Sequence, residues 1–89
     1  MKKTRYFSEQ VLRKRPYLRM EWIERVITSP IRSDSQDDGR VRVWGWIAEQ
    51  HKYLRVVMLG DGVTVHNAFF DRDFVPPTAE ELGSTSNEE

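Results

Sequence analysis

Residues 40–74 read RVRVWGWIAEQHKYLRVVMLGDGVTVHNAFFDRDF, three strand-like runs separated by two short breaks. Within 40–47, Val41, Val43, Gly45 and Ile47 fall on one parity and Arg40, Arg42, Trp44 and Trp46 on the other. Period-two alternation of this kind marks a half-buried strand. Residues 53–59 and 63–70 are rich in β-branched and aromatic side chains, with Asp61-Gly62 between them. Asp-Gly suits a two-residue type I′ hairpin turn, whose central residues both need positive φ. With that pair as the loop, Gly60 faces Val63, Met58 faces Val65, Val56 faces Asn67 and Leu54 faces Phe69. One face of the hairpin is then Leu54, Val56, Met58, Val63, Val65 and Phe69, with Asn67 as a polar intruder. The other carries Tyr53, Arg55, Val57, Leu59, Thr64, His66 and Ala68. If the first strand turns its valines to the apolar side, Arg40, Arg42, Trp44 and Trp46 join this second face. A slip of one residue would exchange the two sets.

Ahead of this stretch the pattern turns helical. Thr4 or Ser8 can cap a short helix carrying Phe7, Val11 and Leu12, ended at Arg15 by Pro16. Arg13, Lys14 and Arg15 form a basic knot where cations meet the helix macrodipole favourably; phosphate contact is its second reading. Leu18, Trp22, Ile23, Val26 and Ile27 recur at helical spacing, which predicts an amphipathic helix over 19–28 with Trp22 in the core. Ile31, Ser33 and Ser35 can form a short edge strand turning through Asp38-Gly39. His51, in the polar break 48–52, reads as solvated. The predicted architecture is α+β: two N-terminal helices packed on one face of a three- to four-stranded antiparallel sheet. Residues 1–75 are expected to form one domain, and 76–89 a disordered acidic tail without aromatic residues.

The 89 residues carry 14 Lys/Arg and 14 Asp/Glu, so net charge is zero. The distribution is lopsided: eight basic against three acidic residues in 1–25, and one against seven in 61–89. An acidic end on a chain with a basic front can screen or dock onto a basic surface. Cysteine is absent, which excludes disulfides and thiolate metal sites. No H-E-x-x-H, EF-hand or Gly-rich nucleotide loop is present either, so no metal and no cofactor is expected. No apolar run is long enough to span a bilayer, and MKKTRYF lacks the apolar stretch of a signal peptide. No membrane partner is expected, and the cytoplasm is the default location.

The order helix, helix, meander, with the wording DGRVRVWGWI, KYLRVV and a last strand ending FFDRDF, resembles a bacterial family of small uncharacterised proteins. That family is distantly similar to the BrnT and RelE/ParE toxins of toxin–antitoxin systems. The likeness covers roughly residues 6–75. It implies a RelE/BrnT-like fold, ribonuclease activity on mRNA, and a cognate antitoxin protein as partner. Members commonly carry a histidine and an arginine four residues apart in the first helix. Gln10 and Lys14 stand at those positions here, so that role is not carried over. Asp71-Arg72 matches the family's ending.

RNA cleavage without metal needs a base or positioning group for the 2′-OH, an acid for the leaving oxygen, and positive charge on the phosphate. His66, whose pKa class suits that work, falls diagonal to Arg55 in the register above, and the two are the candidate catalytic pair. Arg40, Arg42, Trp44, Trp46, Tyr53 and Arg72 are the candidate RNA contacts, because interleaved arginine and aromatic rings on a sheet hold single-stranded RNA. A lone strand histidine is more often structural, the tryptophans can instead cover a second small core, and Asp71-Arg72-Asp73 can be a local ion pair. The expected function is thus a toxin-type RNA-binding protein, with metal-independent endoribonuclease activity left open. The alternative is a non-catalytic module docking a partner protein through the same face. Oligomeric state is not indicated.

Overall fold

The alternation of residues 40–47 is realised as the second strand of a four-stranded antiparallel sheet in a computed structural model that describes residues 1–78. The strands are β1 (Arg32–Ser35), β2 (Val41–Ile47), β3 (Lys52–Met58) and β4 (Val65–Phe70), arranged in sequence order. The first helical segment, α1, is a π-helical turn, Phe7–Val11, running into an α-helical turn, Leu12–Lys14. The second helix, α2, spans Met20–Thr28. The class is therefore α+β.

Both helical segments bury their apolar stripes against one sheet face. Phe7 and Val11 of α1 and Trp22, Ile23 and Val26 of α2 share a core with Val43, Ile47, Leu54, Val56, Met58, Val65 and Ala68. Thr4 caps the first turn, its Oγ1 accepting the Phe7 N–H at 3.0 Å. Trp22 is buried, with the Phe70 ring 6.0 Å away. Gly45 lets α2 come close: a Cβ there would stand 2.8 Å from Val26 Cγ2. Arg25 near the end of α2 grips Glu49 in the β2–β3 turn with two hydrogen bonds of 2.9 and 3.0 Å. That grip holds the Glu49 carboxyl down at about 2.

The β3–β4 hairpin differs from the expected one. Of Asp61 and Gly62 only the glycine has positive φ, at 72°, so the turn is not type I′. The Asp61 carboxylate accepts the backbone N–H groups of Val63 and Thr64 and the Thr64 hydroxyl. These bonds close a four-residue loop between Leu59 and Thr64, joined by a 2.9 Å hydrogen bond, and leave Val63 exposed. They also lower the Asp61 pKa to about 2.

Met58 still pairs with Val65, as expected, but the register then shifts. Val57 pairs with Asn67, Val56 with Ala68, Arg55 with Phe69 and Leu54 with Phe70. His66 is the extra residue of a β-bulge. Beyond it, Ala68 and Phe70 turn to the core and Phe69 to the outer face, the reverse of the expected set. The shift takes the Asn67 amide off the core face, where an unpaired polar group would cost about 1–3 kcal/mol.

Two more features complete the sheet. The N-terminal residues lie parallel to β4, with Thr4 N–H donating to Val65 O and Val65 N–H to Lys2 O, both at 2.9 Å; the sequence gives no sign of this. Gly39, at φ 87°, closes the β1–β2 turn through Asp38-Gly39. Residues 75–78 have no regular structure, and the rest of the expected tail, 79–89, lies outside the described residues. Among the described residues, no helix is long and apolar enough to cross a membrane.

Candidate nucleic-acid interface

On the outer sheet face, Trp44 stands opposite Arg55 and Trp46 opposite Tyr53, while the bulge brings Phe69 opposite Arg55 on the other side. Trp44 is only 5% exposed although it lies outside the main core. The Phe74 ring covers it, nearly parallel (17°) at 5.1 Å. Its indole N–H donates to Asp71 Oδ2 at 2.9 Å. The guanidinium carbons of Arg42 and Arg55 lie 5.4 and 5.7 Å from the indole centre, within cation–π range.

These arginines are partly neutralised. Arg42 lies 3.5 Å from Asp34 and Arg55 lies 3.9 Å from Asp71, ion-pair distances too long for good hydrogen bonds. The Nε atoms of both are buried without an acceptor among the described residues. So Arg42, Trp44 and Arg55, with Phe74 and Asp71, make a small second core rather than an open basic face. A cavity of about 390 Å³ borders it, lined also by Arg32, Asp34 and Asp73.

On the other side of Phe74 runs an open groove of about 870 Å³. Its aromatic wall holds Trp46, which is 42% exposed, and Tyr53, whose ring is 4.8 Å from Trp46 and 5.0 Å from Phe74. Tyr17 stacks on Phe70 at 6.0 Å across the groove. Arg15, Lys52 and Arg72 supply its positive charge, and Asp71 lines it as a carboxylate. Arg15 lies over Phe69 at 5.8 Å and Lys52 over Phe70 at 5.5 Å. Among the described residues none of these three cations is paired with a carboxylate. Phosphate can therefore meet them without breaking an ion pair.

Of the residues singled out in the sequence, Trp46, Tyr53 and Arg72 meet in the groove, and Arg42, Trp44 and Arg55 lie beside it in the second core. Arg40 sits at the β1–β2 turn, 3.7 Å from Asp38, and lines neither concavity. His66 is not diagonal to Arg55, because the bulge moves it out of that register. Its Nδ1 is 3.1 Å from Thr4 Oγ1 and its ring stacks on Tyr6 at 4.9 Å. The Thr4 oxygen already accepts from Phe7, so its hydroxyl proton is available to a neutral imidazole. Burial, with the Arg40 charge, lowers the His66 pKa from 6.5. His51 is exposed at the β2–β3 turn, edge-on to Trp46 at 6.0 Å.

Sequence reasoning missed Tyr17, Lys52, Phe69 and Phe74 as groove residues. Arg15 had a signal, the basic knot before Pro16; Phe69 had none, because its face depends on the bulge. Among the described residues, no cluster of His, Asp or Glu is arranged to hold a metal ion. No protein-family model matches the chain, and no curated protein or solved structure is detectably similar to it.

Proposed function

We propose that the chain binds single-stranded RNA along the groove between Trp46, Tyr53 and Phe74. The carrying observation is the coincidence of the exposed Trp46 ring and the half-buried Tyr53 and Phe74 rings with Arg15, Lys52 and Arg72, three cations unpaired among the described residues, in one concavity. Bases stack on such rings at about 1–3 kcal/mol each, and the cations follow the backbone. The groove favours single strands, since its rings can stack only on bases already splayed from a duplex. In this proposal the protein is cytoplasmic and of the RelE/BrnT toxin type, and a cognate antitoxin would act by covering the groove.

The test is titration of a labelled mixed-sequence RNA oligonucleotide, followed by anisotropy over a range of salt. Trp46→Ala and Tyr53→Ala should weaken binding. Arg72→Gln and Lys52→Gln should each flatten the plot of log K against log salt by ~0.7. Wild-type binding no tighter than ~1 mM at low salt, far below ordinary nucleic-acid affinity, would overturn the proposal and leave partner-protein docking. Cleavage is read from the same samples. RNA recovered intact makes this a binding protein. RNA cut by wild type, and ~10²–10⁴-fold more slowly by His66→Gln, makes it an endoribonuclease using that histidine.

A further inference from the structure

The Trp44 indole already carries a ring, and that ring belongs to the chain itself. Phe74 lies parallel to Trp44 at 5.1 Å, beside two guanidinium groups that approach the same indole. An aromatic platform flanked by arginine is also how a nucleobase and its phosphate are held. Phe74 belongs to no helix or strand. It follows a turn closed by Asp71, which accepts the Asp73 N–H at 3.1 Å through its carboxylate and the Phe74 N–H at a long 3.4 Å through its carbonyl. Residues 75–78 beyond it have no regular structure. Phe74 and Asp71 line both the groove and the smaller cavity, so together they form the partition between them. On the cavity side, among the described residues, Arg42 and Arg55 have no hydrogen-bonded carboxylate, the nearest being 3.5 and 3.9 Å away.

We infer that Trp44, Arg42 and Arg55 form a nucleotide position for single-stranded RNA, which Phe74 fills in the unbound protein. A base entering from the groove replaces the Phe74 ring on Trp44, and the phosphate of that nucleotide takes the guanidinium donors. The position rests on the groove reading, because the groove holds the strand that delivers the base. Self-occupancy lowers the observed affinity by the fraction of molecules with Phe74 in place. Phe74 thus competes with the ligand, while Trp46 and Tyr53 are platforms for it.

Phe74→Ala should bind the RNA oligonucleotide roughly tenfold tighter than wild type, and adding Arg42→Gln and Arg55→Gln should cancel the gain. In the wild-type protein, nuclear Overhauser contacts between the Phe74 and Trp44 rings should be present without RNA and lost at saturation. This second measurement decides the matter if Phe74→Ala does not fold. Unchanged or weaker binding by folded Phe74→Ala, or ring contacts that persist in the complex, would overturn the inference. If those contacts persist while Trp46→Ala and Arg72→Gln still weaken binding, the groove reading stands and only the Trp44 position falls. No RNA binding by either wild type or Phe74→Ala overturns both.

Discussion

Gly45 shows what a single residue contributes. Its lack of a side chain sets the distance between β2 and α2, because an added Cβ would sit 2.8 Å from Val26 Cγ2. Gly45→Ala should cost about 1–3 kcal/mol through overpacking, read from urea midpoints, and should cost less in a Val26→Ala background. Trp22→Ala opens the same layer and should cost ~3–5 kcal/mol, enough to unfold much of so small a domain. Trp22 was legible from helical spacing alone. Gly45 was legible only as a member of a parity, since its reason lies on another element. His66 makes a pH prediction. Its folded pKa is lowered, so the neutral form is the one the fold favours. Its contribution is therefore complete above the ordinary 6.5 and is lost as pH falls through the lower folded value. His66→Gln should flatten that part of a stability–pH profile.

At the scale of elements, α2 and β2 could be read from the sequence because each repeats one local rule over several residues. The β3–β4 hairpin could not. Asp61 prefers its own loop's N–H groups to a tight turn, and the Asn67 amide is kept off the core by a bulge. Both are competitions between a side chain and the tertiary environment, which a two-fold pattern does not record. The groove inherited this blind spot, since Phe69 reaches it only through the bulge. Two turns also set the acid response. Glu49 and Asp61 titrate at about 2 instead of 4.5 and 3.8. Their depressed values stabilise the fold above those ordinary pKa values, and the benefit fades as pH falls toward 2. Urea midpoints measured down this range should fall less steeply for Glu49→Gln, which has no proton to take up at the Arg25 contact.

Across the molecule, charge is placed more selectively than composition suggests. Arg40 and Arg42, at the start of the alternating stretch, were the most visible basic signal, yet Arg42 and Arg40 lie within 3.5 and 3.7 Å of acidic side chains. The groove cations that are unpaired among the described residues come instead from three separate segments, Arg15, Lys52 and Arg72. Arg40→Gln should therefore leave the salt dependence of RNA binding unchanged, in contrast to Arg72→Gln. Residues 79–89 carry four glutamates. Removing them should strengthen RNA binding at low salt, with the difference vanishing near 1 M, where the Debye length is about 3 Å.

The pairing of the N-terminal residues with β4 has a consequence for how the protein is made. Strands β1 to β4 pair only with neighbours in sequence, so the sheet can assemble from short-range contacts as the chain emerges. Thr4, by contrast, meets His66 across 62 positions, and its partner is synthesised some ~3–12 s later at usual elongation rates. Thr4, made before any of the four strands, is thus among the last residues to find its place. Until it does, the outer edge of β4 offers unpaired N–H and C=O groups to any other nascent strand. The interval in which this chain is most open to joining a neighbouring copy is set by the length of the polypeptide between Thr4 and Val65.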